Sequence, residues 1–224
     1  MLWDTVITSG NNYGYIGRNM IMDYYAANTP HRRTRHNEGS DQVLLPGSWR
    51  SVDAHPMTLA CECFVDEVAV KIKKDPLELR LQWLSNAVTA TKSDNANSKS
   101  GSGSSHQVKE RQALLKNVLH QVRKYSGWDK ALGANRGKGI SLSYFYGTYV
   151  SQVAYISYRK NKVSIDKIVC VVDCGLVINP NFVESQIEGS IIWSLSAVIN
   201  PSIKVVAGRV VQSNFHDYPA AMRA

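Results

Sequence analysis

A strand that stops at a glycine turn and passes at once into a capped helix is the feature that leaves this sequence least freedom. The run Lys167-Ile168-Val169-Cys170-Val171-Val172 is apolar and rich in β-branched residues, and it ends at Asp173-Cys174-Gly175. A helix is expected to open at Asn181, with Glu184 as its capping-box partner. This puts a polar loop and the first helical turns, carrying Gln186 and Gly189, at the end of a buried strand, where α/β proteins commonly hold ligands. Gly175 can take the positive φ that other residues resist, and Asn179 is held extended by Pro180. Backbone amides of such a loop, with the positive end of the next helix, suit an anion. A purely structural turn and a solvent-facing Gln186 also account for the same residues.

The rest of the chain supplies both periodicities. Residues 1–40 are weakly patterned, and Asn11–Gly14 and the basic run His31–His36 read as loop and solvated surface. A helix is expected over 57–73, burying Leu59, Phe64, Val65, Val68, Ala69 and Ile72. A second follows from Asp75-Pro76-Leu77-Glu78, with Asp75 as cap, Pro76 at the first helical position and Glu78 completing the box. Its apolar stripe is Leu77, Leu81 and Leu84. Residues 86–105, dominated by Ser, Asn, Lys and Gly, cannot bury enough apolar surface to order themselves. A third helix is expected over 108–125 with Leu115, Val118, Leu119 and Val122 inward.

From Gly139 the period becomes two, and 149–158 and 163–172 form a hairpin around Arg159-Lys160-Asn161-Lys162. A helix over 182–199 then carries Val183, Ile187, Ile191 and Leu195 on one face, with Gly189, Ser190, Ser194 and Ala197 beside it. A short hairpin, 203–206 with 209–212, turns at Ala207-Gly208. The class is α+β, mixed sheet hairpins packed with helices. The expected organisation is an N-terminal helical part (1–85), a flexible insertion (86–107) and an α+β part (108–224).

Charge is unevenly spread. Residues 1–107 carry eleven Lys/Arg and eleven Asp/Glu, and residues 108–224 carry fifteen and seven, so the net +8 lies entirely in the second half. A nucleic-acid role is set aside, because the basic residues are scattered apart from 159–162 and no zinc-finger, RNP-type or basic-helix motif accompanies them. The cysteines, Cys61, Cys63, Cys170 and Cys174, have no zinc-finger or ribbon spacing and are read as buried free thiols. Cys174 and His216 are of types that could form a thiolate–imidazole pair, but nothing in the sequence brings them together. No apolar run approaches the ~20 residues of a membrane span. Glu62 and Asp66, one helical turn apart, are read as capping groups or as partners for a cation such as Arg80, not as catalysts.

Four ordered blocks resemble the molybdenum hydroxylase family, in its isoquinoline 1-oxidoreductase and membrane-bound aldehyde dehydrogenase branch. They are Pro46-Gly47-Ser48-Trp49-Arg50-Ser51-Val52; Glu62–Ala69 with Asp75–Arg80; Val172–Asn181 with Gln186-Ile187-Glu188-Gly189; and Gly208–Tyr218. The chain departs from the branch pattern at Asp53-Ala54-His55-Pro56, at Cys61 and at Ser194. The resemblance implies part of a molybdopterin-binding domain, with Arg50, Asp173, Cys174, Gly175, Asn179, Gln186 and Gly189 around the cofactor and Gln186 at the pterin edge. It implies no catalytic residue and no metal ligand here, since the family's glutamate would follow the Asn-Phe-x-x-Tyr segment, beyond Ala224. The expected whole is a larger subunit that hydroxylates an aldehyde or N-heterocycle with water-derived oxygen. It would hold molybdenum on a molybdopterin cytosine dinucleotide shared with other segments of that subunit, and pass electrons to [2Fe–2S] clusters on a small subunit. By this expectation the chain is a clipped piece that does not turn over alone; a non-catalytic module of the same fold is the alternative.

Overall fold

The computed structural model describes residues 2–9, 24–25, 31–38, 50–51, 54–86, 105–199 and 202–218. The elements are β1 (Leu2–Ser9), β2 (His31–Glu38), α1 (Ala54–Lys71), α2 (Pro76–Asn86), α3 (Ser105–Ser126), β3 (Arg136–Phe145), β4 (Thr148–Arg159), β5 (Lys162–Asp173), α4 (Pro180–Ile199), β6 (Val205–Val206) and β7 (Arg209–Val210). The fold is mixed α+β, as expected. The chain divides into two compact units, Met1–Cys174 and Gly175–Ala224.

In the first unit, β3, β4 and β5 form an antiparallel meander in that order. Each hairpin closes on a two-residue turn with positive φ at both positions: Tyr146 (45°) and Gly147 (82°), then Lys160 (49°) and Asn161 (58°). That is the type I′ geometry, whose twist matches the flanking strands. The pattern predicted the second hairpin, and the period of two from Gly139 marked the region of β3. The hairpin that joins β3 to β4 was not predicted, because a Tyr in the left-handed region is not a turn signal.

The buried set alternates along the strands, with Ile140, Leu142 and Tyr144 on β3 and Tyr149, Ser151 and Val153 on β4. Against them pack Leu115, Val118, Leu119 and Val122 of α3, as the spacing required, and Leu77, Leu79, Trp83 and Leu84 of α2 belong to the same core.

On α1 the expectation fails in part. Leu59, Phe64 and Ile72 are exposed, and the buried face is Cys61, Val65 and Ala69, at i, i+4 and i+8, with Glu62 beside it. The apolar periodicity picked a stripe rotated away from the true one, because a charged residue belongs to the core. Cys61 is buried as predicted, but Cys63 is exposed; all four cysteines are free thiols.

Glu62 Oε2 accepts from Leu142 N on β3 at 2.7 Å and from Arg80 Nε at 2.9 Å. Arg80, also buried, donates to Glu62 O (3.3 Å) and Pro76 O (3.0 Å) and lies 2.9 Å from Asp66. The Glu62–Asp66–Arg80 association read from the sequence is thus a structural clamp joining α1, α2 and the sheet.

Other differences are local. The basic run His31–His36, expected as loop, lies in strand β2, His31–Glu38, which pairs in parallel with Leu2–Ser9. Asp75 caps α2 as predicted, accepting from Leu77 N (2.8 Å) and Glu78 N (3.0 Å), but Glu78 does not close a box: its carboxylate takes Arg123 of α3. α3 begins at Ser105, earlier than expected, and residues 87–104 of the expected insertion lie outside the described residues.

In the second unit, α4 carries Val183, Ile187, Ile191 and Leu195 half-buried, and Ser196 is its buried residue. The last hairpin is shorter than expected, β6 and β7 pairing two residues each around Ala207-Gly208. No helix among the described residues is long and apolar enough to cross a membrane.

Candidate functional site

The strand–turn–helix segment is built as its sequence demands, with one shift. β5 runs to Asp173, whose cross-strand neighbour is Tyr149, and Asp173 and Cys174 are half-buried at that end of the sheet. Desolvation, with Tyr144 beside it, pushes the Tyr149 hydroxyl up to about 12. Gly175 has φ of 78°, and no heavy atom lies within 4 Å of where a Cβ would stand. Its glycine is therefore required by backbone conformation, not by crowding.

The helix opens at Pro180, not at Asn181. Asn179 is the cap: its Oδ1 accepts from Phe182 N and its carbonyl from Val183 N, both at 3.3 Å. Pro180 then fills the first helical position, where its missing N–H costs nothing. The cap and the proline together use up donors that an anion would want, so the helix terminus offers less to a phosphate than the sequence suggested.

What remains open is a side of the helix. Phe182, Gln186, Gly189 and Trp193 recur at i, i+4, i+7 and i+11 and so share one face. All four are exposed, Phe182 at 67% and Trp193 at 38%. Space above Gly189 is empty to 4 Å, so a side chain there would fill it. An amide that both donates and accepts, set between two aromatic residues over a bare glycine, suits the edge and face of a flat heteroaromatic ring. The sequence reading found Gln186 and Gly189 but missed Phe182 and Trp193; their spacing to Gln186 was the available signal.

The other predicted residue, Arg50, lies exposed in a turn with Ser51, whose φ is 69° and whose carbonyl accepts from Ala54 N as α1 begins. Pro46–Trp49, Val52 and Asp53 lie outside the described residues. Arg50, Asp173 and Cys174 belong to the first unit, and Gly175, Asn179, Gln186 and Gly189 to the second. His216, considered as a partner for Cys174, stands 3.4 Å from the Ser213 hydroxyl and 3.7 Å from Asp217. Among the described residues no three of His, Cys, Asp and Glu converge as metal ligands.

Residues 59–222 match the model of the molybdopterin cofactor-binding domain family. The chain is 29% identical over 176 residues to the beta chain of isoquinoline 1-oxidoreductase from Brevundimonas diminuta, covering 76% of the chain and 19% of that protein. It is 26% identical over 193 residues to the membrane-bound aldehyde dehydrogenase (pyrroloquinoline-quinone) of Gluconacetobacter polyoxogenes, covering 83% of the chain and 24% of the relative. A nicotinate dehydrogenase subunit of Pseudomonas putida is 26% identical over 190 residues, 79% of the chain and 14% of its own length. The chain thus spans a quarter or less of these curated relatives.

Proposed function

The chain belongs to the molybdopterin cofactor-binding domain family, and from that membership we propose that it supplies pterin-holding loops to a molybdenum hydroxylase acting on an aldehyde or N-heterocycle. The observation that carries this reading is the open face of α4, where Gln186 and Gly189 lie between Phe182 and Trp193 directly after the Gly175 turn. The donor set fits the group: a neutral amide, aromatic surface and an open glycine address a pterin. The metal's place would come with the pterin rather than from side-chain ligands. Gln186 would hydrogen-bond the pterin edge, Gly189 would admit the ring, and Gly175 and Asn179 would fix the loop. Asp173 and Cys174 would set where that loop leaves the sheet, and Arg50 would serve the molybdenum end. When bound, the cofactor, in its cytosine dinucleotide form, supplies two-electron oxidation with water as the oxygen source. Electrons would leave through [2Fe–2S] clusters of a small subunit, and the remaining segments of a large subunit would complete the site.

The test is co-expression, in a host that makes molybdopterin, with the complementary segments of the isoquinoline relative. Pterin is read as its fluorescent oxidation product and molybdenum by mass spectrometry. One pterin per assembled complex, lost in Gln186→Leu with Gly189→Leu, is expected. A complex that assembles without pterin overturns the reading and favours a non-catalytic module.

A further inference from the structure

The cofactor reading leaves the basic excess of residues 108–224 unused. Part of it converges on a cleft of about 310 Å³ between the α3–β3 connection and the far end of the sheet, lined by Lys130, Leu132, Arg136, Tyr155, Asp166 and Lys167 among others. Lys130, Arg136 and Lys167 line it together with one carboxylate, Asp166, and among the described residues none of the three cations has an ion-pair partner within 4.0 Å. Asp166 is itself engaged, accepting from the Ser157 hydroxyl at 2.8 Å. The cleft therefore carries a net charge of +2 over an apolar floor of Leu132 and Ile156.

The cleft is preformed. Register shifts at Tyr155/Ile156, where Tyr155 faces Lys167 and Ile156 faces Ile165. Asp166 is thus the extra residue of a β-bulge, a device that re-aims side chains at sheet edges and sites. The opposite wall is tied down: Tyr155 Oη donates to Ser126 O at 2.9 Å, Lys138 Nζ donates to Trp128 O and Lys130 O, and Tyr158 N donates to Asn135 O at 2.8 Å. Gly127, at φ 71°, lets the chain reverse out of α3.

We propose that this cleft is a binding site for a small organic dianion, a phosphomonoester or dicarboxylate with an apolar body. Arg136 offers a planar fork for two oxygens, and Lys130 and Lys167 act as point charges. The apolar floor takes the body of the ligand, and two compensating negative charges match the net charge.

The experiment titrates the full chain with phenyl phosphate, phthalate, inorganic phosphate and benzyl alcohol, following backbone amide shifts by NMR at low salt. Saturable shifts confined to residues 126–136, 155–157 and 165–167 are expected, with a Kd of about 1 mM for the preferred dianion. Whichever of phenyl phosphate and phthalate binds tighter identifies the head group. Inorganic phosphate should bind more weakly, and benzyl alcohol not at all. Arg136→Gln should weaken binding by on the order of tenfold, Lys109→Gln on α3 should leave it unchanged, and added salt should weaken it by screening. No saturable shift with either organic dianion, shifts spread over the surface, or equal weakening by the Lys109 control would overturn the site.

Discussion

Glu62 and Arg80 show how a charged pair can be part of a core. Burial pushes the Glu62 carboxyl up from its usual range, and Arg80 and the Leu142 amide pull it back. Burial alone would lower Arg80, but Glu62 raises it further. Removing one partner strands the other, at a cost of about 3–5 kcal/mol, so Arg80→Met and Glu62→Leu should each shift the urea midpoint strongly. The double variant should lose far less than their sum. Equal additivity would show that the pair is not coupled. Because the folded Glu62 binds its proton more tightly than the unfolded chain does, its contribution is full at pH below the unfolded value and declines as pH rises through the folded one. Glu62→Gln should flatten that decline in a stability–pH series. Thiol chemistry offers an independent check: Cys63, exposed on α1, should be alkylated first by iodoacetamide. Cys170 should lag, since burial pushes its thiol up to about 11 and the thiolate is the nucleophile. Peptide mass spectrometry over a time course reads the order, and Cys170 reacting before Cys63 would contradict the burial pattern.

Among elements, those with local signals were legible and those stabilised at long range were not. The Asp75-Pro76 start of α2 could be read because cap, proline and helix lie within four residues. That Asp75 Oδ2 also accepts from Trp128 Nε1 at 2.9 Å, joining the start of α2 to the end of α3, has no trace in the local pattern. Asp75→Ala should therefore cost more than a simple cap, about 2 kcal/mol against about 1 for Trp128→Phe, with coupling between them in a denaturation cycle. A cost for Asp75→Ala no larger than that of the ordinary cap would mean that the Trp128 bond contributes nothing. The same logic explains the misread α1. Periodicity counts apolar residues, and here Glu62 displaces Leu59 and Phe64 from the buried face. At the site, Gly175 and Asn179 were legible from residue type, while the cap moved by two residues because Pro180 is better placed at the first helical position than before the cap. Two of the four residues on the open α4 face were missed because aromatics on an apolar helix look like core.

For the whole molecule, burial separates the two units sharply. The core is drawn from Tyr24 to Val153, all within Met1–Cys174. Among the described residues of Gly175–Ala224, Val183, Ile187, Ile191 and Leu195 are only half-buried, and others stay open: Leu176 is 88% exposed, Ile178 85%, Val198 76% and Phe215 69%. An apolar helix with little buried surface gains little from tertiary packing, which is the main source of helix stability in proteins, and local stability follows local burial. Hydrogen exchange should therefore be fast along α4 and 202–218 while the inner turns of α3 and the centres of β3 and β4 remain protected. If the unit serves a larger subunit as proposed, the complementary segments of the isoquinoline relative should slow exchange along Phe182–Trp193 in particular, because those amides lie under the face assigned to the pterin. Slowing confined to 202–218 would locate the contact elsewhere. Protection of α4 equal to that of α3 in the isolated chain would show that the helix needs no further partner, and the cofactor face would then have to act as a preformed surface.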